Sequence, residues 1–160
     1  MSSDASFEDG REAPIHLGAM DAVDLEVISS LVQDSVLPMS ELSWRAKERR
    51  FALLVNRFRW EDDGRDRHGS ERVQSVLVID NVLRVASQGI ERGEKDMILS
   101  LLSVSFEPGE DAEDNPGGQV LLTLAGDGAI RLDVEALEVT LRDVTRPYRA
   151  PSGKAPDHGA

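Results

Sequence analysis

Nine of the 18 Lys and Arg residues fall between positions 45 and 72: Arg45, Lys47, Arg49, Arg50, Arg57, Arg59, Arg65, Arg67 and Arg72. The same window holds six acids, so its net charge is +3 in a chain whose formal net charge is −12. Guanidinium groups grip phosphates and carboxylates through paired N–H donors. Within "RAKERRFALLVNRFRW", Lys47, Arg49 and Arg50 sit at an expected hairpin turn, and Arg57 and Arg59 lie farther along the strand that follows. These five residues are the candidate contacts for an anion or an acidic partner. The plainer account is a solvated strand end whose arginines pair with acids across the sheet.

Carboxylates form a second cluster in "FEPGEDAEDNPGG", residues 106–118. A calcium loop of the EF-hand type needs oxygen ligands at its first, third and fifth positions, a glycine at the sixth and a closing glutamate at the twelfth. Counting from Asp111, Glu113 and Asn115 fit, but Pro116 takes the glycine position and Leu122 the glutamate position. The stretch is expected to be a solvated connection punctuated by Pro108-Gly109 and Pro116-Gly117-Gly118. Asp62, Asp66 and His68 carry ligand chemistry in "EDDGRDRHG", where the interspersed Arg65 and Arg67 would repel a cation. The sequence has no glycine-rich phosphate loop and no nucleophile elbow. No catalytic residue, metal or cofactor is expected, and the chain is expected to be non-enzymatic.

Composition narrows the classes further. The absence of cysteine excludes disulfides, thiolate zinc sites and a cysteine nucleophile. Net charge of −12 and seven aromatic residues argue against a nucleic-acid partner. No apolar run approaches the ~20 residues that span a bilayer, and no basic-then-apolar leader opens the sequence. A cytoplasmic protein is the default expectation. Residues 1–14 and 146–160, rich in Ser, Gly, Pro, Ala and charge, are expected to be disordered tails around a single domain at 15–145.

Periodicity supplies the elements that would position these residues. Asp21 caps an expected helix whose apolar face is Leu25, Ile28, Leu31, Val32 and Val36, with Pro38 ending it after Leu37. Asp34 would then lie in its last turn, against the helix dipole, and a nearby Arg49 or Arg50 could relieve it. Leu42, Trp44 and Ala46 alternate as a strand, "KER" turns, and "RFALLVNRFRW" returns, buried at its start and wet at its arginine end. "RVQSVLVI", "VLRVASQ" and "MILSLLSVSF" continue the sheet, with a turn at Asp80-Asn81 and a change of phase between Leu101 and Leu102 that reads as a bulge or as a strand covered on both faces. Asp127-Gly128 marks a hairpin between alternating runs. Leu137, Val139 and Leu141 would suit a strand, while Val134, Leu137, Leu141 and Val144 form a helical stripe capped by Asp133; of the two readings a second helix over 134–144 is the favoured expectation. The expected fold is therefore α+β: about seven mostly antiparallel strands, as a half-barrel or sandwich, with an N-terminal and a C-terminal helix.

That element order is similar to pleckstrin-homology-like domains, which place basic residues at the first hairpin turn to hold anionic headgroups. The stretches "LVQDSVL", "KERRFALLVNRFRWE", "LRVASQGI", "LSLLSVSFEPG" and "IRLDVEALEVTLRDV" resemble an uncharacterised family of small bacterial proteins. It is the domain-of-unknown-function family numbered twenty-nine forty-eight, and the likeness spans about residues 20–145. The resemblance implies one domain without large insertions and carries no activity. The expected function is a cytoplasmic interaction or adaptor domain that meets a protein partner through the basic hairpin. The alternative is a small-ligand-binding or hydrolytic domain with a pocket between sheet and helix. An obligate homo-oligomer is a third possibility.

Overall fold

The structure, a computed structural model, describes residues 14–59, 71–90, 96–146 and 148–149. Trp60, Asp62, Arg65, Asp66, Arg67 and His68 lie outside the described residues, as do the expected tails apart from Pro14, Arg146, Tyr148 and Arg149.

Alternation writes the central strands. In β4 (Arg50–Phe58) the residues Phe51, Leu53 and Val55 are buried, and so are Val73, Leu77 and Ile79 in β5 (Glu71–Ile79). Ala52, Leu54, Val76 and Val78 take the opposite, half-exposed face. The two strands pair antiparallel from Phe51 opposite Ile79 to Phe58 opposite Arg72. The other early strands are β1 (His16–Ala19), β2 (Ser35–Pro38) and β3 (Leu42–Arg45). After β5 come β6 (Val82–Gln88), β7 (Ile98–Pro108), β8 (Gly118–Leu124), β9 (Ala129–Val134), β10 (Val139–Asp143) and β11 (Tyr148–Arg149). All described pairings are antiparallel and join into one sheet of order β1-β10-β5-β4-β2-β7-β8-β9-β6, with β3 also on β4 and β11 also on β5.

The expected α+β fold is thus corrected to a mostly β fold, with eleven strands in one sheet and a single α-helix among the described residues. That helix, α1 (Ala22–Val32), starts as the sequence predicts: the Asp24 N–H donates to Asp21 Oδ1 at 2.8 Å. It ends five residues short of Leu37. Asp34 turns into the left-handed region at φ 64° and its N–H donates to the Leu101 carbonyl at 2.8 Å. Ser35 to Pro38 then pair with β7. "SVLP" satisfies a period of two as well as one of 3.6, and hydrogen bonding to β7 decides between them. Asp34 is outside the helix, so the dipole conflict does not arise.

The expected C-terminal helix at 134–144 is a strand pair. Val134 ends β9, Leu137 is buried in the bend, and Val139 and Leu141 face inward from β10, which lies between β1 and β5. Val144, the last residue of the helical stripe, is exposed. β-Branched Val139 and Thr140 suit a strand, and pairing to β5 supplies bonds a lone helix face could not. With that helix goes the likeness to pleckstrin-homology-like domains.

Register shifts between Leu101 and Ser103, where a bulge is one of the two expected readings, and the β8–β9 hairpin falls where Asp127-Gly128 marks it, with the positive φ values one position earlier, at Gly126 (80°) and Asp127 (68°). The Asp80-Asn81 turn has a different role from a hairpin. β5 and β6 are contiguous in the chain but far apart in strand order, and β9 and β10 make the same jump across residues 135–138. Both crossings meet in one corner. The Asp80 N–H donates to the Glu138 carbonyl at 3.0 Å, and the Glu135 N–H donates to the Asn81 carbonyl at 2.9 Å. A sheet whose third and last strands are joined by two residues must curl. Its concave side holds the core, and Leu25, Ile28, Leu31 and Val32 of α1 fill that side. Each apolar side chain so buried contributes about 1.5–3 kcal/mol.

Candidate interaction surface

The five candidate cations lie at the two ends of one strand. At its start, Arg45 pairs in register with Arg50, a single 3-10 turn spans Ala46–Glu48, and Arg49 takes φ 56° to reverse the chain. The turn is closed by the Arg49 N–H donating to the Ala46 carbonyl at 3.1 Å. It is tied to the corner by the Val82 N–H donating to the Arg49 carbonyl at 2.9 Å. Lys47, Arg49 and Arg50 are exposed, as the hairpin reading requires.

Acids from the corner surround them. Arg49 Nη1 donates to Glu135 Oε1 at 2.7 Å, and Arg50 Nε donates to Asp80 Oδ1 at 2.9 Å. Glu48 lies 3.5 Å from Arg45 and 3.9 Å from Arg50. The hydrogen bond and the charge of Asp80 raise the Arg50 pKa above its ordinary value. Both side chains of the Arg49–Glu135 pair remain about half exposed, a setting in which an ion pair contributes about 0–1 kcal/mol. Trp44, 38% exposed, stands on the same hairpin. The arginines' partners are therefore Glu48, Asp80 and Glu135 rather than Asp34 or the 106–118 stretch.

Arg57 and Arg59 do not belong to this surface. The reading that made the arginine end of β4 wet is corrected: alternation continues, and Arg57 occupies the inward position after Val55, with its side chain 0% exposed. Its Nη2 donates to Asp143 Oδ1 at 3.0 Å and Oδ2 at 3.1 Å, and its Nε donates to Ser75 Oγ at 3.0 Å. Ser75 Oγ donates to Asp143 Oδ1 at 2.6 Å, and the Ile15 N–H donates to Asp143 Oδ2 at 3.0 Å. Arg59, also buried, donates to Glu71 at 2.7 Å. On the outer face Arg72 stacks 4.0 Å from the Phe58 ring centre and donates to Asn56, whose Nδ2 donates to Tyr148 Oη at 2.8 Å. Burial lowers the Arg72 pKa, against a smaller opposing effect of Tyr148.

The sequence marks Arg57 only by its phase, a cation following three inward apolar residues. Nothing local marks Ser75 or Asp143, which reach it from β5 and β10.

The carboxylate stretch is a turn. Asp111 has φ 59° and its carbonyl accepts from the Asp114 and Asn115 N–H groups at 2.9 and 2.8 Å. Asn115 Oδ1 accepts from the Gly117 N–H at 3.0 Å. Among the described residues no three His, Asp or Glu side chains converge as a metal group.

The interface between α1 and the sheet is filled by core side chains. Two open depressions lie elsewhere, one of about 220 Å³ beside Val36, Pro38, Leu54, Asn56, Gln74 and Ile98. The other, of about 190 Å³, is lined by Ser105, Phe106, Glu107, Gln119, Leu121 and Arg131. Among the described residues no helix is long and apolar enough to cross a membrane.

A family model described as "Protein of unknown function (DUF2948)" matches residues 15–158. The chain belongs to that family. Searches of the curated proteins and of the solved structures found no match.

Proposed function

We propose that this member of the family is a non-enzymatic interaction domain that meets an acidic protein partner through the β3–β4 hairpin. The observation that carries the reading is the composition of the hairpin tip, where half-exposed Trp44 stands among exposed Arg45, Lys47, Arg49 and Arg50. Trp and Arg are the residues on which binding energy concentrates at protein interfaces. The tip's ion pairs are weak because they are wet, so a partner's carboxylates can replace Glu135 or Glu48 at little cost. A small-ligand or hydrolytic role has less support, because core side chains occupy the expected pocket between sheet and helix. A cytoplasmic location belongs to the same reading, supported by the cysteine-free composition.

The test is affinity purification from the native cell with mass spectrometry, comparing the natural chain with a Lys47→Glu, Arg49→Glu, Arg50→Glu variant. Loss of the principal partner by a variant that still folds, shown by a cooperative melt, is the expected result. Since the reversals face Glu48, Asp80 and Glu135, a gentler Trp44→Ser, Lys47→Gln variant separates lost contact from lost folding. Full partner recovery by both folded variants overturns the hairpin as the contact surface.

A further inference from the structure

The side of the sheet turned away from the core differs between its two halves. On β7, β8 and β9 it carries Glu107 and Asp133. In a chain with 30 acidic residues, no outward position of β1, β2, β4, β5 or β10 holds Asp or Glu. That acid-free half is apolar at its centre. Ala52 and Leu54 of β4 lie opposite Val78 and Val76 of β5, all half-exposed. The depression of about 220 Å³ opens beside Leu54, where β4 meets β2. Ile98, 61% exposed, stands on its lining, and Glu41, from the 3-10 turn after β2, is the one carboxylate there.

Two arginines border this apolar centre. Arg142 of β10 lies opposite Val76, two strands from Leu54 and so about 10 Å from it. Arg72 is fixed beside the depression: its Nε and Nη2 donate to Asn56, a lining residue, and its guanidinium stacks on the Phe58 ring. Its Nη1 has no hydrogen-bond partner among the described residues. Neither arginine has an ion pair there, whereas Arg45, Arg49, Arg50, Arg57 and Arg59 all do. The face around them offers no acid to pair with.

We propose that this outward face docks an acidic segment of a partner protein, with one branched apolar side chain seated in the depression and flanking carboxylates on Arg72 and Arg142. A patch with an apolar centre free of charge and a cationic rim has the build of a protein interface. Its sign selects an acidic occupant. A second copy would meet the face with the same two arginines, like charge to like. Arg72, already held by Asn56 and Phe58, loses little freedom when its Nη1 takes up a carboxylate. The assignment goes beyond the hairpin reading and does not depend on it.

The test titrates the full chain with a fluorescent peptide in which one leucine is flanked by glutamates. Two counterparts replace the glutamates by lysines, or the leucine by serine. The parent peptide binds and the counterparts do not. Leu54→Thr with Ile98→Ser strips the depression, and Arg72→Gln with Arg142→Gln removes the cations. Each weakens binding by about tenfold, in line with the concentration of interface energy in a few residues. A cooperative thermal melt verifies that both variants fold. Backbone amide shifts of the natural chain on peptide addition concentrate on residues 52–56, 72–78 and 142, which locates the site without any variant. The Trp44→Ser, Lys47→Gln hairpin variant leaves affinity unchanged. Loss from that variant, alone or equal to the loss from the face variants, overturns the face as a separate site while the hairpin reading stands. Unchanged affinity in both folded face variants, or shifts confined to other residues, also overturns the proposal. Self-association abolished by the Leu54, Ile98 variant would assign the face to a second copy. Binding to phosphatidylserine vesicles abolished by the arginine variant would assign it to a lipid surface. Either result overturns the proposal.

Discussion

Arg49 and Arg50 lead into β4, Arg57 and Arg59 lie at its far end, and the two ends treat the same side chain in opposite ways. Arg49 meets Glu135 at 2.7 Å with both partners about half in water. Arg57 meets Asp143 at 3.0 Å with side-chain exposures of 0% and 5%. The distances hardly distinguish them; solvent does. Water screens the first pair until it can be exchanged for another carboxylate. Excluded from the second, it leaves the attraction unscreened and the loss of either ion costly. An arginine cluster in sequence can therefore be half contact surface and half internal framework.

The comparison breaks most visibly at Asp143. Asp143→Ala takes a buried carboxylate away from the Arg57 guanidinium and should cost about 3–5 kcal/mol in urea unfolding. A double variant, Arg57→Met with Asp143→Leu, should recover most of that loss, because an apolar pair needs no compensating charge. If the double variant is as unstable as the single one, the pair supplies more than mutual neutralisation. Ser75→Ala removes the hydroxyl between the two ions and should cost about 1–3 kcal/mol by the same measurement.

Ser35 sharpens the contrast from the other side. Its Oγ is buried without a hydrogen-bond partner, so Ser35→Ala should leave stability unchanged or raise it by up to about 1 kcal/mol. The smallest effect belongs to the wet end. Arg49→Gln should shift unfolding by less than about 1 kcal/mol, and added salt should shrink the difference further.

Legibility followed the same line between local and distant causes. The cap at Asp21, the hairpin turn at 47–49, the bulge after Leu101 and the turn at Asp127 are set by neighbouring residues, and the sequence displays them. Pairing to remote strands is not displayed locally. "SVLP" and the 134–144 stretch each fit two periods, and β7 and β5 choose the strand. The hairpin cations were legible as a group, but the one local mark that divides Arg49 from Arg57 is the phase of alternation, which does not name a partner. That division depends on β10, which brings Asp143 to Arg57 from 86 positions away.

The place of β10 in the sheet has a consequence for how the chain is made. Among the described residues β10 is the strand that β1 pairs with, His16 lying opposite Arg142, and β10 lies along the outer edge of β5. During synthesis the first strand therefore waits for nearly the last one, while β5 presents an open hydrogen-bonding edge beside an apolar face. Nucleation has to begin in the local hairpins, β3–β4 and β7–β8–β9, where loop closure costs least. The nascent domain stays incomplete, with β5 the segment most prone to wrong pairing, until residue 143 has cleared the ribosome.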